Sequence, residues 1–197
     1  MSLIDLEAAA RNLSRVVEGI PDERLDAPTP CPAYTVGDLL DHLAGTAVAF
    51  RYAAEKTLPP GGSQPPSGDA GRLADDWRVQ IPEDLEALAA AWRDPEAWTG
   101  RTTVGGVEIP GEVAGVVGLD EMVIHAWDLA RATDQPFDDD PASLEVVHGF
   151  VAGLAQPGNE QMRSGIFGPI VTVPDDAPLL DRTLGLAGRD PGWSPDA

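Results

Sequence analysis

One stretch constrains this chain more than any other. Gly118 to Arg131 (GLDEMVIHAWDLAR) places ionisable groups inside a segment that is apolar nearly all round. At about 100° per residue on a helix, Val116, Val117, Leu119, Met122, Val123, Ile124, Ala126, Trp127, Leu129 and Ala130 cover most of the circumference. Such a helix has to be central. Glu121, His125 and Asp128 share one narrow face of it, and Glu121 and His125 are one turn apart, the spacing at which two side chains meet the same point. Burying an unpaired carboxylate is expensive, whereas one bound to a cation is compensated. Two readings follow: a local hydrogen-bonded or ion pair, or two ligands of a divalent metal. A third ligand from elsewhere in the chain would decide between them.

The candidate for that third ligand is His42. Thr35 followed by Asp38 carries a capping-box signal, and Val36, Leu39, Leu40, Leu43, Ala44, Ala47 and Val48 then predict a helix running to about Glu55. His42 lies beside Leu39, Thr46, Ala49, Phe50 and Ala53 on this helix, away from the wet side that holds Asp38, Asp41 and Tyr52. A histidine there is either a satisfied core residue or a ligand. Two broadly apolar helices should pack together, which lets His42 approach the Glu121 and His125 face. Two imidazoles and one carboxylate from two helices would leave coordination positions open, as catalytic sites do.

The rest of the chain frames these two helices. Leu3, Leu6, Ala10, Leu13, Val17 and Ile20 give a first helix behind Ser2 as N-cap. Residues 21–34 carry four prolines and read as an irregular connection holding Cys31. Leu58 to Gly71 is a Pro/Gly/Ser-rich loop, read as a mobile surface connection rather than a lid. From Leu73 to Trp92 the pattern is helical, with a break expected at Pro82 and a new helix from Pro82 or Glu83. Arg101 to Ile109 surrounds Gly105-Gly106 with β-favouring residues, a short hairpin signal, and Pro110 leads into the central helix over roughly 111–133. A further helix begins near Pro141 and ends before Pro157; His148 on it reads as an ordinary surface or core position. The tail shows an extended run from Pro169 to Val173, a short helix from about Ala177 to Leu186, and a closing turn with Trp193 as aromatic anchor.

Composition excludes several classes. With 13 basic against 33 acidic residues, the formal charge of −20 argues strongly against nucleic acid as a partner and disfavours an anionic membrane surface, since both normally require a basic patch. A hydrophobic content of 43% over 197 residues supports one globular core. Cys31 is the single cysteine, so no internal disulfide forms and a reducing compartment suits the chain. The first fifteen residues are interrupted by Asp5, Glu7 and Arg11, neither signal peptide nor membrane span, so a soluble cytoplasmic protein is expected. One lysine, Lys56, among many arginines, alanines, glycines and prolines has the look of a GC-rich bacterial gene.

Three segments carry a family resemblance. Thr29-Pro30-Cys31-Pro32-Ala33-Tyr34-Thr35-Val36-Gly37-Asp38-Leu39-Leu40-Asp41-His42-Leu43 resembles a segment of the DinB/YfiT-like superfamily, in its mycothiol-dependent maleylpyruvate isomerase-like branch. Glu121-Met122-Val123-Ile124-His125-Ala126-Trp127-Asp128-Leu129-Ala130 is similar to a second motif of that branch. Val173 to Asp181, followed by Gly188 to Trp193, resembles the tail of its stand-alone actinobacterial metal-binding subgroup. Tyr34 stands where the family usually has Trp. Few residues follow the bundle, so the isomerase's larger C-terminal domain is not expected here, nor maleylpyruvate isomerisation in particular.

The resemblance implies a mainly all-α fold: a DinB-like four-helix bundle of up-down-down-up type over residues 1–164, with the hairpin, and a small C-terminal extension over 165–197 packed on it. It implies a divalent metal held by His42, Glu121 and His125, the same three residues reached from helix geometry. Zinc or nickel is the expected metal, mycothiol the expected cosubstrate, and a small electrophile the expected partner, with a homodimer left open. The function expected is a metal-dependent thiol transferase or isomerase. The alternative class is a non-catalytic metal-binding helical protein, such as a dimeric sensor or stress-response partner, and an open metal position with room for a thiol separates the two. Asp128 would either orient His125 or pair with Arg131. Cys31, in a proline-rich loop with no adjacent base, is left outside the expected site.

Overall fold

A computed structural model describes residues 4–138, 140–164 and 166–195. Four helices form the bundle: α1 (Glu7–Glu18), α2 (Val36–Ala54), α3 (Trp77–Ala91) and α4 (Gly111–Ala132). Helix α1 packs against α3 and α4, and α2 packs against the same two, so α1 and α2 stand diagonally. These contacts join the four helices in a ring in the order α1, α3, α2, α4. Among the described residues no helix is long and apolar enough to cross a membrane.

The local signals are met with instructive exceptions. Thr35 and Asp38 form the reciprocal capping box at the start of α2, each side chain accepting from the other's backbone N–H. At α1 the proposed cap, Ser2, lies outside the described residues. The helix starts at Glu7, whose N–H donates to Asp5 Oδ1 at 2.9 Å, so Asp5 supplies the acceptor there.

The break expected at Pro82 does not occur, and α3 runs through the proline. An interior proline loses the bond to the Arg78 carbonyl and costs about 3 kcal/mol. Trp77 and Ile81 before it, and Leu85 and Leu88 after it, are all buried. At roughly 1.5–3 kcal/mol for each fully buried side chain, one continuous apolar face outweighs that loss.

Strands β1 (Arg101–Val104) and β2 (Val107–Pro110) pair antiparallel with Val104 opposite Val107. Gly105 and Gly106 form the two-residue turn with φ of 58° and 80°, left-handed positions that favour glycine. The chain then enters α4, where the absent side chain of Gly118 lets the Phe50 ring of α2 come close. That contact lies one turn before Glu121.

Beyond the bundle, α5 (Pro141–Leu154) packs on α4, a single turn α6 (Glu160–Arg163) follows, and α7 (Leu179–Leu186) packs on α5. The extended run expected at Pro169–Val173 joins no ladder; Val171 N–H donates once, to the Gly185 carbonyl at 3.0 Å. The closing segment returns to α4, where Arg131 donates to the Trp193 carbonyl at 2.6 Å.

Candidate metal centre

The packing of α2 on α4 brings His42, Glu121 and His125 together. One donor atom from each, two imidazole nitrogens and a carboxylate oxygen, lie within 4.8 Å of one another. His42 Nε2 is 3.1 Å and His125 Nε2 3.2 Å from the same oxygen, Glu121 Oε2. With metal–ligand bonds of about 2.0–2.2 Å, neighbouring ligand atoms sit roughly 3.0–3.5 Å apart. The spacing fits a shared ion.

Proton placement makes the case sharper. His42 Nδ1 donates to the Pro66 carbonyl at 3.2 Å. His125 Nδ1 donates to Asp128 Oδ2 at 2.9 Å. A carbonyl and a carboxylate can only accept, so both Nδ1 atoms carry hydrogen, and in neutral imidazoles both Nε2 atoms present lone pairs. With both imidazoles neutral, two lone pairs and a carboxylate oxygen would converge on one spot, an arrangement that could hold a cation. The donor set is one that zinc and its neighbours accept.

The electrostatics describe what a proton does in that place. Burial alone would raise the Glu121 carboxyl, but hydrogen bonds from His125 and His42 outweigh it and hold it well below the ordinary carboxylate range. Burial alone would lower His125, yet hydrogen bonds to Asp128 and then Glu121 push it up to about 10. In the metal-free protein His125 therefore keeps the proton that a dication would displace.

Asp128 pairs with neither solvent nor Arg131. It is fully buried and accepts from Arg189 Nε at 3.2 Å and Nη2 at 2.9 Å, a two-point ion pair that outweighs burial and keeps the carboxyl ionised. The expectation that Asp128 orients His125 is what the geometry shows. The Arg131 alternative is overturned: Arg131 lies over the Trp127 ring instead. Arg189 carries no local signal of this role, because nothing within the tail shows which of the distant acids it meets.

Asp120 is a second residue beside the cluster that helical periodicity does not single out. It is buried, and its Oδ1 has no hydrogen-bond partner among the described residues. Burial, then the neighbouring Glu121, push its carboxyl up to about 8. Cys31 and His148 stay outside the cluster. Cys31 is half-buried, its N–H donating to Thr29 Oγ1, and His148 Nδ1 shares a hydrogen bond with Thr183 Oγ1 at 3.1 Å. The site is not sealed, since 22% of the Glu121 side chain is exposed. The Tyr34 ring stacks on His42 with centroids 5.4 Å apart.

Known proteins resemble the chain in sequence or in fold. Two uncharacterized proteins of Mycobacterium tuberculosis, one from strain CDC 1551 / Oshkosh and one from strain ATCC 25618 / H37Rv, are each 31% identical over 169 residues, 85% of this chain and 86% of their own. Among solved structures, the mycothiol-dependent maleylpyruvate isomerase superposes with a TM-score of 0.59 at 17% identity, over 96% of this chain and 79% of that one. A histidine-to-alanine mutant of that isomerase superposes with the same TM-score at 16% identity. At such identity the likeness concerns the fold. Residues 6–130, spanning α1 to most of α4 with the whole donor cluster, match the family described as the mycothiol maleylpyruvate isomerase N-terminal domain, and the chain belongs to that family.

Proposed function

We propose that the protein binds one divalent metal, zinc or nickel, through His42, Glu121 and His125, and activates a small thiol for transfer to, or isomerisation of, an electrophilic small molecule. The observation that carries this reading is the convergence of the Nε2 atoms of His42 and His125 on one carboxylate oxygen, with both Nδ1 atoms hydrogen-bonded elsewhere. Three protein ligands and a partly exposed Glu121 leave an approach from solvent, which favours catalysis over a closed structural site. A bound dication would supply Lewis acidity and lower the pKa of a coordinated thiol. With one carboxylate and two neutral imidazoles, the local charge is about +1, so a thiolate is favoured there although the chain carries −20 overall.

The chain's own residues have distinct tasks in this scheme. His42 and His125 hold the ion while staying neutral, and Glu121 offsets half its charge. Asp128 fixes the His125 ring, and Arg189 keeps Asp128 ionised. The thiol fitting the family is mycothiol, the protein would act in the cytoplasm, and no protein residue forms a covalent intermediate. Residues 1–164 would be the metal-binding unit and 165–197 an extension that reaches back through Arg189.

The test uses metal-loaded protein, mycothiol and a panel of electrophiles such as monochlorobimane. Loaded wild type should exceed the uncatalysed rate, while metal-free protein and Glu121→Gln should not. His42→Ala and His125→Ala should each lose most of the bound metal. Rates equal to background in every form, with no change in the spectrum of a cobalt-substituted site on adding mycothiol, would leave only a non-catalytic metal-binding role.

A further inference from the structure

The loop between α2 and α3 reads in sequence as a free surface connection, and its second half is nothing of the kind. Its Pro66 carbonyl accepts the His42 Nδ1 hydrogen at 3.2 Å. Two residues on, Gly68 lies against the turn of α2 that carries His42. A Cβ at Gly68 would stand 2.3 Å from the Asp38 carbonyl oxygen, the acceptor in a regular helix for the His42 N–H, and 2.8 Å from the Tyr34 ring. Gly68 has no left-handed φ, so glycine is there for space.

The segment is tied at both sides of that contact. Asp69 N–H donates to Asp41 Oδ2 at 3.0 Å, and Ala70 N–H to Asp38 Oδ1 at 2.8 Å. Arg72 reaches Asp41 at 2.6 Å and the Ser67 carbonyl at 2.7 Å. Upstream, Ser63 Oγ accepts from Gly106 N–H at 3.1 Å, fastening the loop to the hairpin turn.

We infer that residues 63–72 are a strap that positions His42: the Pro66 carbonyl sets its tautomer and ring rotation, and Gly68 and Arg72 set the place of that carbonyl. The inference rests on the proposed metal site for its consequence and on the hydrogen-bond geometry for its cause. A ligating imidazole whose other nitrogen loses its partner typically loses about 10–100-fold in metal affinity. Gly68 and Arg72 are thus positioning residues that touch neither metal nor substrate.

The experiment compares wild type with Gly68→Ala, Arg72→Ala and Arg72→Lys by zinc titration against a chromophoric chelator. In parallel, nitrogen-15 NMR follows solvent exchange of the His42 Nδ1 hydrogen in zinc-loaded and metal-free protein. Gly68→Ala should weaken zinc at least about tenfold and speed that exchange, with helical circular dichroism unchanged. Arg72→Ala should do the same more weakly, and Arg72→Lys should recover part of the loss. Should Gly68→Ala fail to fold, the exposed Arg72 pair decides on the same two readouts. Zinc affinity within twofold of wild type together with unchanged Nδ1 exchange overturns the strap. A wild type that binds no divalent metal refutes the metal reading of the site, and Nδ1 exchange in the metal-free variants still supports or overturns the strap.

Discussion

The two imidazoles of the site face the same carboxylate oxygen but are held by opposite kinds of support. His125 leans on Asp128, an anion with no exposure, itself clamped by Arg189 from the far end of the chain. His42 leans on a neutral carbonyl in a loop, with the Tyr34 ring along its face. One support is charged and part of the core; the other is uncharged and lies near the surface. Under the proposed metal binding, affinity and fold stability should therefore be coupled on the His125 side and separable on the His42 side.

Breaking the charged support should have the largest effect. Asp128→Ala leaves the Arg189 guanidinium buried without its counter-ion, a loss on the order of 3–5 kcal/mol, and also frees the His125 ring. Chemical denaturation should show that drop, and zinc titration should show a further loss of about 10–100-fold. Gly68→Ala should share the second effect with little of the first. Equal stability losses in the two variants would erase the distinction between the supports.

The pH response sharpens the same comparison. Because the Asp128 and Glu121 pairs push His125 up to about 10, a proton must leave it for a metal to bind. Zinc affinity should therefore rise about tenfold per pH unit from pH 6 to 9, one proton being released per ion. The sign for folding is opposite. A histidine raised above its unfolded value near 6.5 stabilises the metal-free fold fully below that pH, and the contribution fades as pH rises through about 10. Asp120, raised to about 8, acts in the same direction, since the folded protein keeps on this buried carboxyl a proton that the unfolded chain has released, which costs more as pH rises toward 8. Melting of metal-free protein should thus weaken above pH 7 while zinc-loaded protein holds. A flat zinc affinity over that range would mean that His125 is already neutral.

How much of this was legible follows the reach of each interaction along the chain. Glu121 and His125 are one turn apart on a helix, so periodicity alone puts them on one face, and His42 follows from the packing of two apolar helices. The capping box of α2 and the Gly105-Gly106 turn are local too, and both are present as read. Arg189 meets Asp128 across 61 residues of sequence, and Pro66 meets His42 across 24, with no local pattern in either partner. Pro82 failed as a signal for the converse reason: a local breaker was overruled by tertiary burial of Trp77, Ile81, Leu85 and Leu88. The loop of residues 58–71 misled in part because its composition is uniform although its contacts are not.

That last contrast yields the smallest expected effect and the cleanest control. Gly61 and Gly62 have φ of 89° and 87° with open space around them, and Leu58 is exposed. The Gly62 N–H bonds only within the turn, to the Pro59 carbonyl at 3.0 Å. Removing one or two residues between Pro59 and Gly62 shortens a connection whose closure entropy changes by well under about 1 kcal/mol, and leaves the Ser63, Pro66 and Gly68 contacts in place. Stability should stay within about 0.5 kcal/mol of wild type, and zinc affinity within twofold, when both are measured beside Gly68→Ala. The remainder of the loop must span from Ser63 at the hairpin to Ala70 at Asp38, so the same deletion moved to 65–67 removes the His42 acceptor and should cost the site its affinity. If both deletions weaken zinc alike, the whole loop acts as one tensioned unit, and the division between a free half and a fastened half falls.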